Sequence, residues 1–294
     1  MKGRNSESKP LLMFISSMLI FGTIGLLRRS IPLPSALIAC ARGLTGGCIL
    51  LIYRLFRKDK DCMKPAFSTV AGLCISGAIM GFNWILLFEA YNHTTVAVAT
   101  LCYYMQPTIV VLLSPLLFRE RLTRRKLLFA LIAVAGMILV SGVAEGKEQH
   151  QDYHGAILGL GAAALYAAVV IMNKKITGID ALRKTVIQLF SAGIVMIPYL
   201  LLTENISLDS ISLKTAGLLL VAGVVHTGIA YILYFGSLTG LKVQTAAIFS
   251  YIDPVSAMLF SAVLLGEPLS LYGIFGALMI IGSAIGYALP ERNK

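Results

Sequence analysis

The chain has 294 residues, of which 57% are hydrophobic and only 13% charged, and its mean hydropathy is +0.82. A soluble domain carries about a quarter charged residues, so a water-soluble enzyme is all but excluded. The net charge of +11, from 25 Lys and Arg against 14 Asp and Glu, would suggest nucleic acid in a soluble protein, whereas in a membrane protein such bases gather in loops on one face.

Basic Lys2, Arg4 and Lys9 precede an apolar run, Leu11 to Leu27. No small-residue cleavage site follows, so this run is expected to remain as a first helix rather than to leave as a signal peptide. Apolar runs punctuated by charge, Gly and Pro predict ten spans in all: 11–27, 35–53, 66–88, 94–118, 127–143, 155–173, 183–202, 215–237, 243–265 and 270–289. At about 20 residues per crossing, ten crossings use roughly two thirds of the chain and leave only short connections. Cys40, Cys48, Cys74 and Cys102 fall inside these runs and Cys62 in a loop, which argues for small core residues and against a disulfide framework.

Lys and Arg set the orientation. With a cytoplasmic N-terminus, every base lies on the cytoplasmic side except Arg28, Arg29, Lys147 and Lys214, with Arg42 inside a span. That bias places both termini in the cytoplasm. The expected location is the plasma or inner membrane.

Laid against itself, the sequence matches at an offset of 147 residues. Leu86 to Val140 aligns without a gap on Leu233 to Tyr287, pairing Phe88 with Phe235, Tyr104 with Tyr251, Pro107 with Pro254, Ser114 with Ser261 and Glu120 with Glu267. Two repeats of five spans are implied, 1–146 and 147–294. Five is odd, so the halves must lie upside down relative to one another. The loops agree, because the basic Phe118-Arg-Glu-Arg-Leu-Thr-Arg-Arg-Lys126 corresponds to the base-free Leu265-Gly-Glu-Pro-Leu-Ser-Leu-Tyr-Gly273. The fold class read from the sequence is an all-α integral membrane protein of ten helices in two inverted repeats.

The pattern of an apolar helix with a mid-span proline, a loop glutamate and a Gly/Ala-rich final helix, Pro107 to Glu120 and Pro254 to Glu267, resembles the paired EamA domains of the drug/metabolite transporter superfamily. Arg42, after Pro34 in the second span, resembles a family-typical arginine. The resemblance covers nearly the whole chain. It implies a ten-helix transporter with a central cavity between its halves, commonly an exporter of amino acids or other small metabolites.

Ionisable groups deep in a membrane cost roughly 2.5–3.5 kcal/mol each and mark function by default. Arg42, Asp253 and His226 lie deep in their spans. Asp253-Pro254 opposes Gln106-Pro107 across the repeat, and each proline frees a backbone carbonyl one turn earlier. Three residues before Asp253 and Gln106 stand Ser250 and Tyr103, on the same faces. Asp253 is therefore a candidate for substrate or proton binding. The competing reading is a permanent Asp253–Arg42 pair that only joins two helices. His226 suits proton coupling or cargo contact, or equally a neutral histidine bonded to a carbonyl. Trp84, the single tryptophan, aligns with Tyr231, and both suit an aromatic cavity wall or plain packing. Asn83 and Glu89 are weaker candidates.

Glu120 and Glu267 each just precede a helix start and are expected to complement its dipole. Gly77/Gly81 and Gly282/Gly286 have the spacing of close helix contacts. His150 and His154 read as part of a solvated loop, and Arg28-Arg29 either as flanking charges or as a lure for anionic cargo. No catalytic, nucleotide-binding or metal motif stands out, so no enzyme activity, cofactor, metal or nucleic acid is expected.

The sequence thus predicts a secondary active exporter of small polar metabolites, amino acids or related compounds, by alternating access around a midplane cavity. It would work in the bilayer as a monomer or homodimer. The alternatives are a multidrug, lipophilic-cation or nucleotide-linked metabolite transporter, or a non-transporting subunit of a membrane complex.

Overall fold

Hydrocarbon offers no water to a backbone N–H or C=O, so the apolar runs can cross only as helices that satisfy themselves. The computed structural model describes residues 4–57, 65–118, 123–140, 150–204, 211–238, 240–241, 245–246 and 249–288. Among these the regular structure is helical throughout. In chain order the helices are α1 (Arg4–Gly22), α2 (Ile24–Arg29), α3 (Ser35–Arg57), α4 (Phe67–His93), α5 (Val96–Tyr103), α6 (Gln106–Phe118), α7 (Arg124–Val140), α8 (His150–Lys175), α9 (Ala181–Thr203), α10 (Leu213–Gly223), a π-helical turn (Val224–Ile229), α11 (Ala230–Leu238), α12 (Ile252–Leu265) and α13 (Leu271–Ala288).

These make the ten expected crossings, but four of them are not single helices. The first bends at Thr23, between α1 and α2. The fourth breaks at Tyr104–Met105 and the ninth at Ser250–Tyr251. Both of these breaks fall on the turn that Pro107 and Pro254 deprive of a donor, so the two halves are interrupted within one residue of the same register. The eighth carries the π-helical turn, which the matching α4 lacks. Large apolar side chains such as Leu116, Leu201, Val263 and Leu278 are exposed around the outside, where lipid takes the place of a protein partner.

The packing follows a pseudo-twofold scheme. The third crossing, α4, lies along the sixth, α8, and in the same way the eighth, α11, lies along the first, α1. The second packs on its own counterpart, α3 on α9, and so does the fifth, α7 on α13. An inverted repeat with its axis in the membrane plane requires this exchange of partners.

Several expectations need correction. Helix α8 begins at His150, so His154 lies on a helix rather than in a loop, and its ring meets that of His93 edge-on with centroids 4.5 Å apart. Cys40 and Cys102 are buried as expected, whereas Cys48 and Cys74 are exposed. Cys62 and Glu120 lie outside the described residues. Of the two glycine pairs, Gly77/Gly81 does meet a neighbour. A Cβ on Gly77 would stand 2.5 Å from the Gln188 carbonyl oxygen and one on Gly81 3.3 Å from that of Ala192, both on α9. Gly282 has nothing within 4 Å, but a Cβ on Gly286 would stand 2.4 Å from the Phe129 ring on α7, so this pair meets a neighbour through one member only, and the close backbone crossing of the tenth span is Gly276 against Gly136.

Gly77→Ala is expected to destabilise the protein by ~1–3 kcal/mol through overpacking against α9. Gly282→Ala should be neutral or stabilising by up to ~1 kcal/mol from helix propensity. Thermal unfolding of the two variants in detergent makes the comparison.

Candidate functional site

The broken helices converge on a cavity of about 460 Å³, within the range of small-molecule sites. Arg42, Trp84, Tyr103, Gln106, Tyr231, Ser250 and Asp253 all line it. They come from the second, third, fourth, eighth and ninth crossings, so both halves contribute. His226 is not on the wall. It sits in the π-helical turn, where Nε2 shares a hydrogen bond with the Thr23 hydroxyl at 2.9 Å and Nδ1 faces the Val221 carbonyl oxygen at 3.3 Å. Its contacts join the eighth crossing to the bend of the first.

The rest of the wall is dominated by aromatic rings. Tyr103 stacks on Tyr166 at 5.5 Å, Tyr231 stacks on Phe235 at 5.9 Å, and Phe21 meets Tyr231 edge-on at 5.4 Å. At the breaks the two repeat-related tyrosines Tyr104 and Tyr251 lie 6.3 Å apart.

Arg42 and Asp253 are not an ion pair, since among the described residues no carboxylate oxygen lies within 4.0 Å of the guanidinium. Arg42 is 5% exposed and lies over the Trp84 ring, 4.4 Å from its centroid, with Phe88 at 5.8 Å. Its Nε donates to Thr227 Oγ1 at 2.8 Å, while that hydroxyl donates to the Ala222 carbonyl at 3.2 Å. Thr227 thus uses both its acceptor and its donor, which a serine would copy and a valine would not. Neither Nη atom has a partner among the described residues, and neither is sealed from the cavity. Asp253 accepts from the Tyr104 hydroxyl through Oδ2 at 2.6 Å. Its Oδ1 is likewise unpartnered and accessible.

Gly22 makes this arrangement possible. A Cβ there would stand 2.1 Å from Ser256 Oγ and 2.9 Å from the Asp253 carbonyl oxygen, so only glycine lets the first crossing approach the start of α12.

The cavity is one-sided. It runs to Asn173, Ala181, Lys184 and Thr185, where α8 ends and α9 begins, and Ala181 is exposed there. Gln188 on that side donates to Ser76 Oγ at 2.6 Å and Asn173 Oδ1 at 2.9 Å. Beyond Tyr91 and Thr100 the other end is shut. Arg29 Nη2 pairs with Glu267 Oε1 at 2.9 Å and donates to the Thr94 carbonyl at 2.7 Å, while the Val96 N–H donates to Glu267 Oε2 at 2.8 Å.

This corrects two readings. Glu267 does complement a helix dipole, but it is that of α5 in the other half. Its own α13 is capped by Ser270, whose Oγ accepts from the Gly273 N–H at 2.9 Å. Arg28-Arg29 are more than flanking charges, because Arg28 is buried and bonds the Ile31 carbonyl and Ser35, and Arg29 pairs with Glu267 and the Thr94 carbonyl. The weaker candidates lie off the wall. Asn83 donates to the Ala162 carbonyl at 2.5 Å, which ties α4 to α8, and Glu89 pairs with His93 at 4.0 Å near the helix end. Tyr104 and Thr227 were not read as site residues from the sequence. Tyr104 had a usable signal, since it matches Tyr251 beside a proline break.

Two inverted bundles around a one-sided central cavity define a membrane transporter, and comparison with known proteins agrees. The family model described as the EamA-like transporter family matches residues 8–142 and 154–289, and the chain belongs to that family. It is 28% identical to the uncharacterized transporter YxxF of Bacillus subtilis (strain 168), across 98% of this chain and 92% of that one. Protein RarD of Salmonella typhi is also 28% identical, over 74% of this chain and 72% of its own. One solved crystal structure superposes with a TM-score of 0.64 at 18% identity and 96% coverage of both chains, a likeness of fold.

Thr227→Val leaves Arg42 Nε buried without an acceptor and should cost about 1–3 kcal/mol. Thr227→Ser keeps the bond. A melting temperature that falls for valine and holds for serine is the expected pattern.

Proposed function

We propose that this chain is a secondary active transporter that exports small polar metabolites, amino acids or closely related zwitterions, by alternating access. The observation that carries this reading is the pairing of an unpartnered guanidinium fork, Arg42 Nη1 and Nη2, with an unpartnered carboxylate oxygen, Asp253 Oδ1, on the wall of one cavity. A carboxylate fits the fork through two parallel hydrogen bonds, and an ammonium fits the acid. Aromatic rings between them accept an apolar side chain. A lone lipophilic cation would meet Arg42 as a like charge, which disfavours the multidrug alternative.

In the proposed cycle the state seen here is inward-facing. Both termini and the basic loops lie in the cytoplasm, on the side where the cavity opens, and the Arg29–Glu267 pair faces outward. The membrane is the plasma or inner membrane. Exchange of a proton through Asp253 powers export, and His226, off the wall, keeps the first and eighth crossings together. Cargo and lipid are the only partners the cycle requires, and a monomer or homodimer suffices.

The test is thermal unfolding of the purified protein against glycine, L-leucine, L-phenylalanine, L-arginine, L-glutamate, tetraphenylphosphonium and a nucleotide. Ligand at a hundredfold over its Kd stabilises the native state by about 2.7 kcal/mol. A zwitterionic amino acid is expected to raise the melting temperature, and Arg42→Gln and Asp253→Asn each to weaken that shift at least tenfold in concentration. Stabilisation by tetraphenylphosphonium or the nucleotide alone would replace this reading with the corresponding alternative. Flux in proteoliposomes that ignores an imposed pH gradient would remove the proton step.

A further inference from the structure

Helix α5 is held at both ends by the ninth crossing. At its C-terminal end Tyr104 donates to Asp253, in the first turn of α12. At its N-terminal end the Val96 N–H donates to Glu267, in the turn that follows α12, and Arg29 grips the other oxygen of that carboxylate. The first contact lies on the cavity wall and the second at its closed end. Between them α5 is a single unbroken helix of eight residues, with Val96, Ala97, Ala99, Thr100, Leu101 and Cys102 buried, that links one contact to the other.

We propose that α5 is a strut by which cargo at Asp253 controls the closed mouth, with Tyr104 as the positioning residue that joins the two. Cargo shifts a conformational equilibrium only through interactions that differ between the states. The strut supplies that difference. A cationic group on Oδ1 takes up the charge that strengthens the Tyr104 hydrogen bond, and with that end released the contact at Glu267 no longer suffices to hold α5 in place. The proposal rests on the reading of the cavity as a cargo site, but the strut itself is testable without cargo.

The reporter is Thr100→Cys in a background with Cys40, Cys48, Cys62, Cys74 and Cys102 replaced. Thr100 is 4% exposed and lies between the cavity and the latch. A membrane-impermeant maleimide outside intact cells reaches it only when the closed mouth opens. Tyr104→Phe and Glu267→Gln are each expected to raise the labelling rate about tenfold, the lower end of what removing a hydrogen bond to a charged group does to an equilibrium. Because the two contacts hold one strut, the double variant should exceed the larger single effect by little. Asp253→Asn still offers an acceptor and should raise labelling less than Tyr104→Phe. If Tyr104→Phe does not fold, Asp253→Leu removes the same bond from the other side and carries the same expectation.

The amino acid with the largest thermal shift in the panel above should speed labelling in the Thr100→Cys parent and have little effect in Tyr104→Phe. Labelling of Tyr104→Phe at the parent rate, or single effects that multiply, would overturn the strut. If no amino acid shifts the melting temperature while Tyr104→Phe still opens the mouth, the strut stands and the cargo reading falls.

Discussion

A backbone carbonyl freed inside hydrocarbon has no water to turn to, and the arrangement of this molecule follows from where its freed carbonyls go. Pro107 and Pro254 each break a crossing one turn upstream. Exposed to lipid, such breaks would be costly. Here both lie on the wall of one cavity, with the Tyr104 and Tyr251 rings 6.3 Å apart, and at the ninth crossing the Asp253 N–H turns to the Ser250 carbonyl at 3.3 Å. The repeat places the two breaks within one residue of matching registers, so a single cavity serves both.

The ionisable groups obey the same economy. Arg42 is buried but not neutralised by an acid. Its charge is spread over the faces of Trp84 and Phe88, and its Nε is satisfied by Thr227. The π-helical turn places this threonine, and such turns recur at functional positions because they realign side chains without ending the helix. The remaining hydrogen-bonding capacity of the guanidinium, like that of Asp253, points into the cavity. Groups left unsatisfied in such a place have a use only when something occupies it.

Symmetry and asymmetry divide the work. Helix packing, the proline breaks and the facing tyrosines are shared between the halves. The π-helical turn, Arg42 and Asp253 belong to one half each, and an exact repeat would place either two arginines or two acids on the wall. Divergence of the halves sets a guanidinium from one half against a carboxyl from the other, with Lys184 at the open end.

Much of this was legible in the sequence. The ten crossings came from hydropathy, since length and apolarity are properties of the chain alone. The inverted repeat came from the match of Tyr104, Pro107 and Glu120 with Tyr251, Pro254 and Glu267, together with an odd number of spans. Seven of the eight singled-out residues share one wall because deep polar residues in lipid have few other places to go. The tertiary structure decided the pairings. Tyr104 and Asp253 are 149 positions apart, Arg42 and Thr227 are 185, and Val96 and Glu267 are 171. Periodicity places a residue on a face of its own helix but does not say which distant helix that face meets. For this reason the sequence could suggest an Arg42–Asp253 pair and a Glu267 cap on its own helix, and only the packed bundle could assign their partners.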